Sequence, residues 1–265
     1  MANKIQFSDS SGELRLEIGT NDVALEAVAA NDLLTNLISC WELDETSGTV
    51  VYDAHASNNG TNNGPAAINQ TGIINKAYTF NGGSDYLGMG NILNFGSSED
   101  WTVSIWLKGH DNILHTAWNK RQASSPNQGL WLYYENRTIY TDSSGAERDY
   151  SYTLFIDVGA TTYNICTGKD SVAADDTGWH LVTSFRSGTT LGIALDDNTP
   201  LTYTNAGVSA SLSSTNSFYI ATRRLADLHW AGTIDQTAAW SRALTPDDIS
   251  DLYNSGSGLA YTSWE

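Results

Sequence analysis

From residue 37 onward the chain is a succession of strand-length runs separated by turn clusters, and this rhythm constrains its fold more than any other feature. The runs are "LISCWEL", "TVVYDA", "AYTFNG", "DYLGMG", "TVSIWLK", "GLWLYYE", "YTLFIDV", "WHLVTSF", "LGIALDD", "SFYIATR" and "TIDQTAAW". Between them lie "SNNGTNNGP", "NGGS", "SSPNQG", "DSSG", "DDTG", "RSGTT" and "DDNTP", rich in the residues that tolerate tight backbone turns. Many short strands with no helix between them predict an antiparallel sandwich or barrel. Composition agrees: with 9 Trp, 13 Tyr and 23 Gly, the 265-residue chain is rich in strand and turn formers, and 40% hydrophobic content supplies a core.

The net charge of −17 narrows the partners. A phosphate backbone or an anionic membrane is repelled by such a surface, which argues against nucleic acid and membrane insertion. Cations, calcium above all, are attracted by carboxylates. No run approaches the ~20 apolar residues of a membrane span, and "MANKIQFSDSSG" carries no apolar core of signal-peptide type. The expectation is an intracellular protein, or one that leaves the cell by another route such as assembly into a virus particle. Cys40 and Cys166 form no disulfide framework, and their spacing leaves open whether they bond to each other.

Residues 1–36 differ from the rest. "ELRLEIG" alternates, which predicts a strand with Leu14, Leu16 and Ile18 on one face. "NDVALEAVAANDLLTNL" is Ala-rich, and a few helical turns are expected there. Two readings stand side by side: an arm that docks on another subunit, and a hairpin packed on its own domain.

Near the other end, "ALTPDDISDLYNSG" predicts a short helix. Thr245 caps it, Pro246 fits its first position, and Asp247 and Asp248 meet the positive end of its dipole. Leu244 and Ile249 have the spacing of a hydrophobic staple. Ile249, Leu252 and Tyr253 share a face, and Gly256 is the expected left-handed terminator. The helix is expected to close one end of the sandwich.

Several of these stretches resemble laminin G-like jelly rolls, a branch of the concanavalin A-like lectin/glucanase fold. "GTIDQTAAWSRALTPDDISDLYNSG" is similar to the family's closing strand, R-A-L and capped helix. "LISCWELDETSGTVVYDAHASNNGT" is similar to its opening W-x-x-D-E-x-S-G-x-x-x-x-D pattern, and "AYTFNGGSDYL" to its F-[DN]-G-x-x-D-Y hairpin. "WTVSIWLK" and "DTGWHLVTSF" match two central strands. "LGIALDDNTPL" departs from the family's L-x-Y-V-D-G, with Ala194 and Asp197 replacing the aromatic and the glycine. The resemblance spans residues 37–256 and implies an all-β, two-sheet antiparallel jelly-roll sandwich over 37–265, with one short C-terminal helix and an N-terminal arm over 1–36. It also implies a binding or adhesion module, often for glycans or proteins, frequently with a structural Ca²⁺.

Three constellations could carry chemistry. In "WELDET", strand alternation puts Glu42 and Asp44 on one face, with Glu45 opposite. That is one carboxylate short of the E-x-D-x-E array of the fold's glucanases. In "YDAHASNNG", Asp53 and Asn58 sit on a tight turn; by family resemblance Asp235 lies near and completes a Ca²⁺ shell, against the reading that these residues only shape turns. In "GLWLYYE", Leu130, Leu132 and Tyr134 take one face and Trp131 and Tyr133 the other. The second face is a stacking platform for sugar rings, with Trp118 and Trp230 as rims, or else a set of packing contacts. The sequons at Asn59, Asn69 and Asn136 are set aside because no secretory signal accompanies them. His180 reads as a half-buried strand residue, and the five histidines show no ligand spacing.

The expected function is therefore a non-catalytic binding module, a surface component of a phage virion such as a capsid decoration or fibre protein. Its partners would be a glycan or host-surface ligand and, through the N-terminal arm, other virion proteins; a homo-oligomer fits the same picture. The alternatives are a purely structural virion protein and a glycan-active hydrolase.

Overall fold

The computed structural model describes residues 5–7, 14–18, 21–25, 33–64, 66–109, 114–122, 128–135, 141–147, 151–168, 171–172, 176–223 and 228–264. Met1–Asp32 and Leu33–Trp264 form two compact units. In the first, β1 (Ile5–Phe7), β2 (Leu14–Ile18) and β3 (Asn21–Leu25) make an antiparallel sheet in the order β1-β2-β3. The alternating run is a strand, as its pattern predicts. The helix expected from residue 21 is replaced by β3, whose Val23 and Leu25 stand in register with Leu16 and Leu14. Pairing two apolar rows outweighs the weak helical preference of alanine. Residues 26–32 lie outside the described residues.

The second unit begins four residues earlier than the expected boundary at 37. Leu33, Thr35 and Asn36 lend their carbonyls to Trp240 Nε1 (2.7 Å), Arg242 Nε (3.0 Å) and Ser241 N (2.8 Å). It is a sandwich of two eight-stranded antiparallel sheets. The first contains β4 (Leu37–Trp41), β7 (Ala67–Thr71), β8 (Lys76–Asn81), β10 (Trp101–Lys108), β15 (Trp179–Ser187), β16 (Thr190–Leu195), β17 (Leu201–Thr204) and β19 (Ala231–Trp240). Its order is β17-β16-β15-β10-β19-β8-β7, with β4 also on β19. The second contains β5 (Val50–Val51), β6 (Gly60–Asn63), β9 (Tyr86–Gly88), β11 (His115–Asn119), β12 (Gln128–Glu135), β13 (Ser151–Val158), β14 (Thr161–Cys166) and β18 (Tyr219–Ile220). Its order is β14-β13-β12-β11-β18-β9-β6-β5.

Period-two alternation decides what lies between the sheets. Val103, Ile105 and Leu107 of β10 meet Leu130, Leu132 and Tyr134 of β12 and Leu154 and Ile156 of β13 in one core. Trp41, Trp101, Trp118 and Trp230 complete it. Two buried cations pin loops to this core without a carboxylate in hydrogen-bond contact. Lys120 Nζ donates to Asn91 Oδ1 (2.8 Å) and Asn216 O (2.5 Å), and Arg186 donates to the carbonyls of Gly96 (2.7 Å), Glu99 (2.8 Å) and Ala210 (2.8 Å).

The predicted helix is α1 (Pro246–Tyr253), with the full reciprocal cap between Thr245 and Asp248 and the staple pair Leu244 and Ile249 buried together. Arg242 holds the same Asp248 carboxylate at 2.6 Å, a pairing that together with the Thr245 bonds outweighs burial and keeps it below the usual aspartate range. The left-handed stop falls at Asn254 (φ 48°), two residues before Gly256, because an asparagine tolerates that conformation. The helix does not close an end of the sandwich. It covers the outer face of the first sheet, where Ile249 and Leu252 pack with Trp106, Ala238 and Trp240 in a second core. Trp264 stacks on Trp240 at 5.5 Å between ring centroids. Cys40 and Cys166 are both buried and are not joined to each other. Among the described residues no helix is long and apolar enough to cross a membrane.

Candidate functional site

β4 ends at Trp41, and the next residues leave the strand. Leu43 is fully buried in the core in the left-handed conformation, with φ 59°. A leucine held there costs on the order of 1–3 kcal/mol and persists because its side chain is anchored. The consequence is local: strand alternation stops, and Glu42, Asp44 and Glu45 all line one cavity of about 410 Å³ together with Thr46, Ser47, Tyr52 and Ala54. The expectation that Glu45 points away from Glu42 and Asp44 fails for this reason.

The three carboxylates are not equivalent. Asp44 accepts from Lys76 N (2.8 Å) and Asn75 Nδ2 (3.1 Å). Glu45 accepts from Tyr52 N (2.6 Å) and from the Tyr78 hydroxyl (2.9 Å). Burial, with the Glu45 charge and hydrogen bond behind it, pushes the Tyr78 hydroxyl far up, so it stays a donor. Glu42 has no hydrogen-bond partner among the described residues. Burial, then the charges of Asp44 and Glu45, raise its pKa. Above the cavity Tyr52 is 60% exposed. It follows Val51, which enters the core, so alternation turns Tyr52 outward. That alternation is the sequence signal for this residue.

Asp53 fastens the far side of the loop. Its Oδ1 accepts from Cys40 N (3.0 Å) and His55 N (3.1 Å), and its Oδ2 from Asn58 N (3.1 Å). Asn58 turns its amide nitrogen to Ser39 Oγ at 2.8 Å. Asp235 sits at a bulge in β19, where its carboxylate accepts from Ile74 N (2.9 Å) and Gln236 N (2.6 Å). Burial pushes Asp235 up to about 7. These residues do not fit a Ca²⁺ shell. The carboxylate oxygens of Asp53 and Asp235 all face N–H donors. The turn-shaping reading of Asp53 and Asn58 is the one the geometry carries.

The aromatic platform is also corrected. Trp118 and Trp230 are fully buried in the main core and cannot rim a surface. Trp131 and Tyr133 do leave the core on the opposite face of β12, but they are 5% and 6% exposed. Phe155 lies flat on Trp131 at 5.1 Å, and the Arg121 guanidinium covers the other ring face at 4.6 Å. Asp157 holds that guanidinium at 2.5 Å, while Leu114 and Leu228 pack alongside. His180 is gripped from both sides by Asp196 (3.0 Å) and Asp176 (3.2 Å). Burial alone would lower its pKa, but these two partners outweigh it and raise it.

Comparison with known proteins follows the geometry. Sequence comparison with curated proteins finds no match. Among solved structures, the binding domain of Paraclostridial Mosquitocidal Protein 1 is similar with TM-score 0.65 and 14% identity, over 84% of this chain and 53% of that one. Domain 4 of AbnA, a GH43 extracellular arabinanase from Geobacillus stearothermophilus solved with arabinotriose, is similar with TM-score 0.59 and 15% identity, over 82% of this chain and 97% of that one. The botulinum neurotoxin serotype D ligand binding domain, solved with N-acetylneuraminic acid, gives TM-score 0.63 and 12% identity, over 84% and 51%. The chain thus spans about half the length of the toxin domains and nearly all of the arabinanase domain. At these identities the likeness establishes a shared fold. A laminin G-like family model, described as the concanavalin A-like lectin/glucanases superfamily, matches residues 81–250. Two antiparallel sheets, the capped closing helix and this match together place the chain in the laminin G-like branch of the concanavalin A-like lectin/glucanase superfamily.

Proposed function

We propose that this chain is a non-catalytic carbohydrate-recognition module displayed on a virus particle. One observation carries the recognition: an exposed tyrosine ring stands beside a cavity whose floor holds a carboxylate, Glu42, with no partner of its own among the described residues. A sugar offers apolar C–H faces to such a ring and hydroxyl donors to such an oxygen. Like charge disfavours acidic sugars in this cavity, so the ligand is uncharged. The arabinanase domain, similar over nearly its whole length and solved with a neutral oligosaccharide, supports the same chemistry. Asp44 and Glu45 are committed to fixed donors on one short turn, which supports binding over turnover, since hydrolysis asks for two carboxyls on opposite sides of a bond. Display on a particle is supported by the separate unit of residues Met1–Asp32, a natural attachment segment.

The test is a glycan array with wild type, Tyr52→Ala and Glu42→Gln, alongside a reducing-sugar assay. Neutral glycans should bind the wild type, and both variants about tenfold more weakly, with no sugar released. Release that Glu42→Gln abolishes would make the pocket hydrolytic, its raised acid the proton donor. Silence across the array would leave a structural particle protein.

A further inference from the structure

A second cavity of about 410 Å³ is lined by the residues that directly follow those of the first on the same segment, and its lining differs in kind. Gly48, Thr49, Asn62, Gly64, Ala66 and Ile68 line it, none of them charged. The two cavities divide one short segment between them: Thr46 and Ser47 face the acidic cavity, Gly48 and Thr49 the neutral one. Thr49 O accepts from Asn62 N at 2.8 Å, which fixes the wall between them. The Asn62 side chain is itself fixed by Ala66, accepting from its N–H (3.2 Å) and donating to its carbonyl (3.1 Å). Gly48 adopts φ 88°, and a Cβ placed there would meet nothing within 4 Å, so a chain passing over this residue meets no side chain from it.

We infer that the ligand is an extended uncharged oligosaccharide, longer than a disaccharide, that crosses the ridge at Gly48 and occupies both cavities. This rests on the carbohydrate reading above and adds the length and polarity of the ligand to it. Each cavity lies within the roughly 300–1,000 Å³ typical of a ligand pocket, so each has room for a sugar ring. The first takes a ring on Tyr52 with its hydroxyls on carboxylate oxygens. The second takes the next part of the chain against Ile68 and Ala66, with Thr49 and the glycine backbones for hydroxyl contacts. A terminal sugar would need only the first cavity; a neutral chain has use for both.

The experiment is calorimetric titration with linear neutral arabino-, xylo-, cello- and manno-oligosaccharides, each from the monomer to the pentamer. For the series that binds, affinity should rise about tenfold or more from dimer to tetramer. Thr49→Trp, at an exposed position on the second cavity, should abolish that rise. Ile68→Trp serves as an independent second block, with circular dichroism confirming that both variants fold. Affinity that does not grow with length, or growth that survives both blocks, overturns the inference and leaves the single-pocket reading intact. Failure of every series to bind the wild type overturns both.

Discussion

Trp131 and Tyr52 both leave the second sheet on the side away from the core, yet their fates differ. Trp131 stands on an inner strand, with Phe155 on one side and the Arg121–Asp157 pair on the other. Tyr52 follows the edge strand β5, where the adjoining turn supplies carboxylates and no cover. An outward aromatic in mid-sheet gains stability by being roofed over. One at an edge, beside a turn that a buried left-handed leucine bends away, stays open to solvent. Richness in aromatic residues is therefore a poor guide to a binding surface, and what stands over the ring matters more.

The largest expected effect tests the roofed region. Trp131→Ala should cost about 3–5 kcal/mol of stability, as loss of a buried tryptophan does, measured by chemical denaturation, and leave glycan affinity unchanged in the folded protein. Weakened glycan binding by the folded variant would erase the contrast. Next, Asp53→Ala removes one carboxylate from three N–H donors and should cost about 3 kcal/mol. Because the same loop carries Tyr52, this variant should lose binding as well, which joins the two properties at one residue. Tyr52→Ala should do the reverse of Trp131→Ala: affinity falls about tenfold, while stability moves by less than about 0.5 kcal/mol. The smallest effect serves as a control away from both regions. His180 has a raised pKa in the fold, so it adds stability below its unfolded pKa of about 6.5, and that contribution fades as pH rises through the higher folded value. The melting temperature of the wild type, relative to His180→Gln, should therefore decline as pH rises above about 6.5, with glycan binding untouched by the substitution.

Particular residues explain what could be read in advance. "GLWLYYE" announces a strand with two apolar faces, because alternation is a property of neighbours in sequence. Whether its second face is roofed depends on Phe155, from β13, and Arg121, from the segment after β11. The helix was legible down to Thr245 and Leu244, since caps are local, but its seat on Trp106 and Trp240 is tertiary. Strands β6 and β7 were hidden inside "GTNNGPAAINQT", a stretch with turn composition. They exist by pairing at sheet edges, and β7 buries almost nothing. The candidate pocket escaped for a different reason: a strand reading of "WELDET" assumes a regular backbone, and Leu43 breaks it. No local preference of leucine signals a left-handed conformation, which here is imposed by burial.

The pairing of β4 with β19 has a mechanical meaning. The chain enters the sandwich at Leu33, whose carbonyl is held by the Trp240 indole, and reaches the candidate pocket directly after β4. A pull between an attachment at the start of the sandwich and a ligand seated in the candidate pocket would pass through this strand. Its ladder to β19, Leu37 to Trp41 against Trp240 to Thr237, lies across that line and would be loaded in shear, with its hydrogen bonds sharing the force in parallel. A pull of this kind would meet the β4–β19 ladder before it reached the rest of the first sheet.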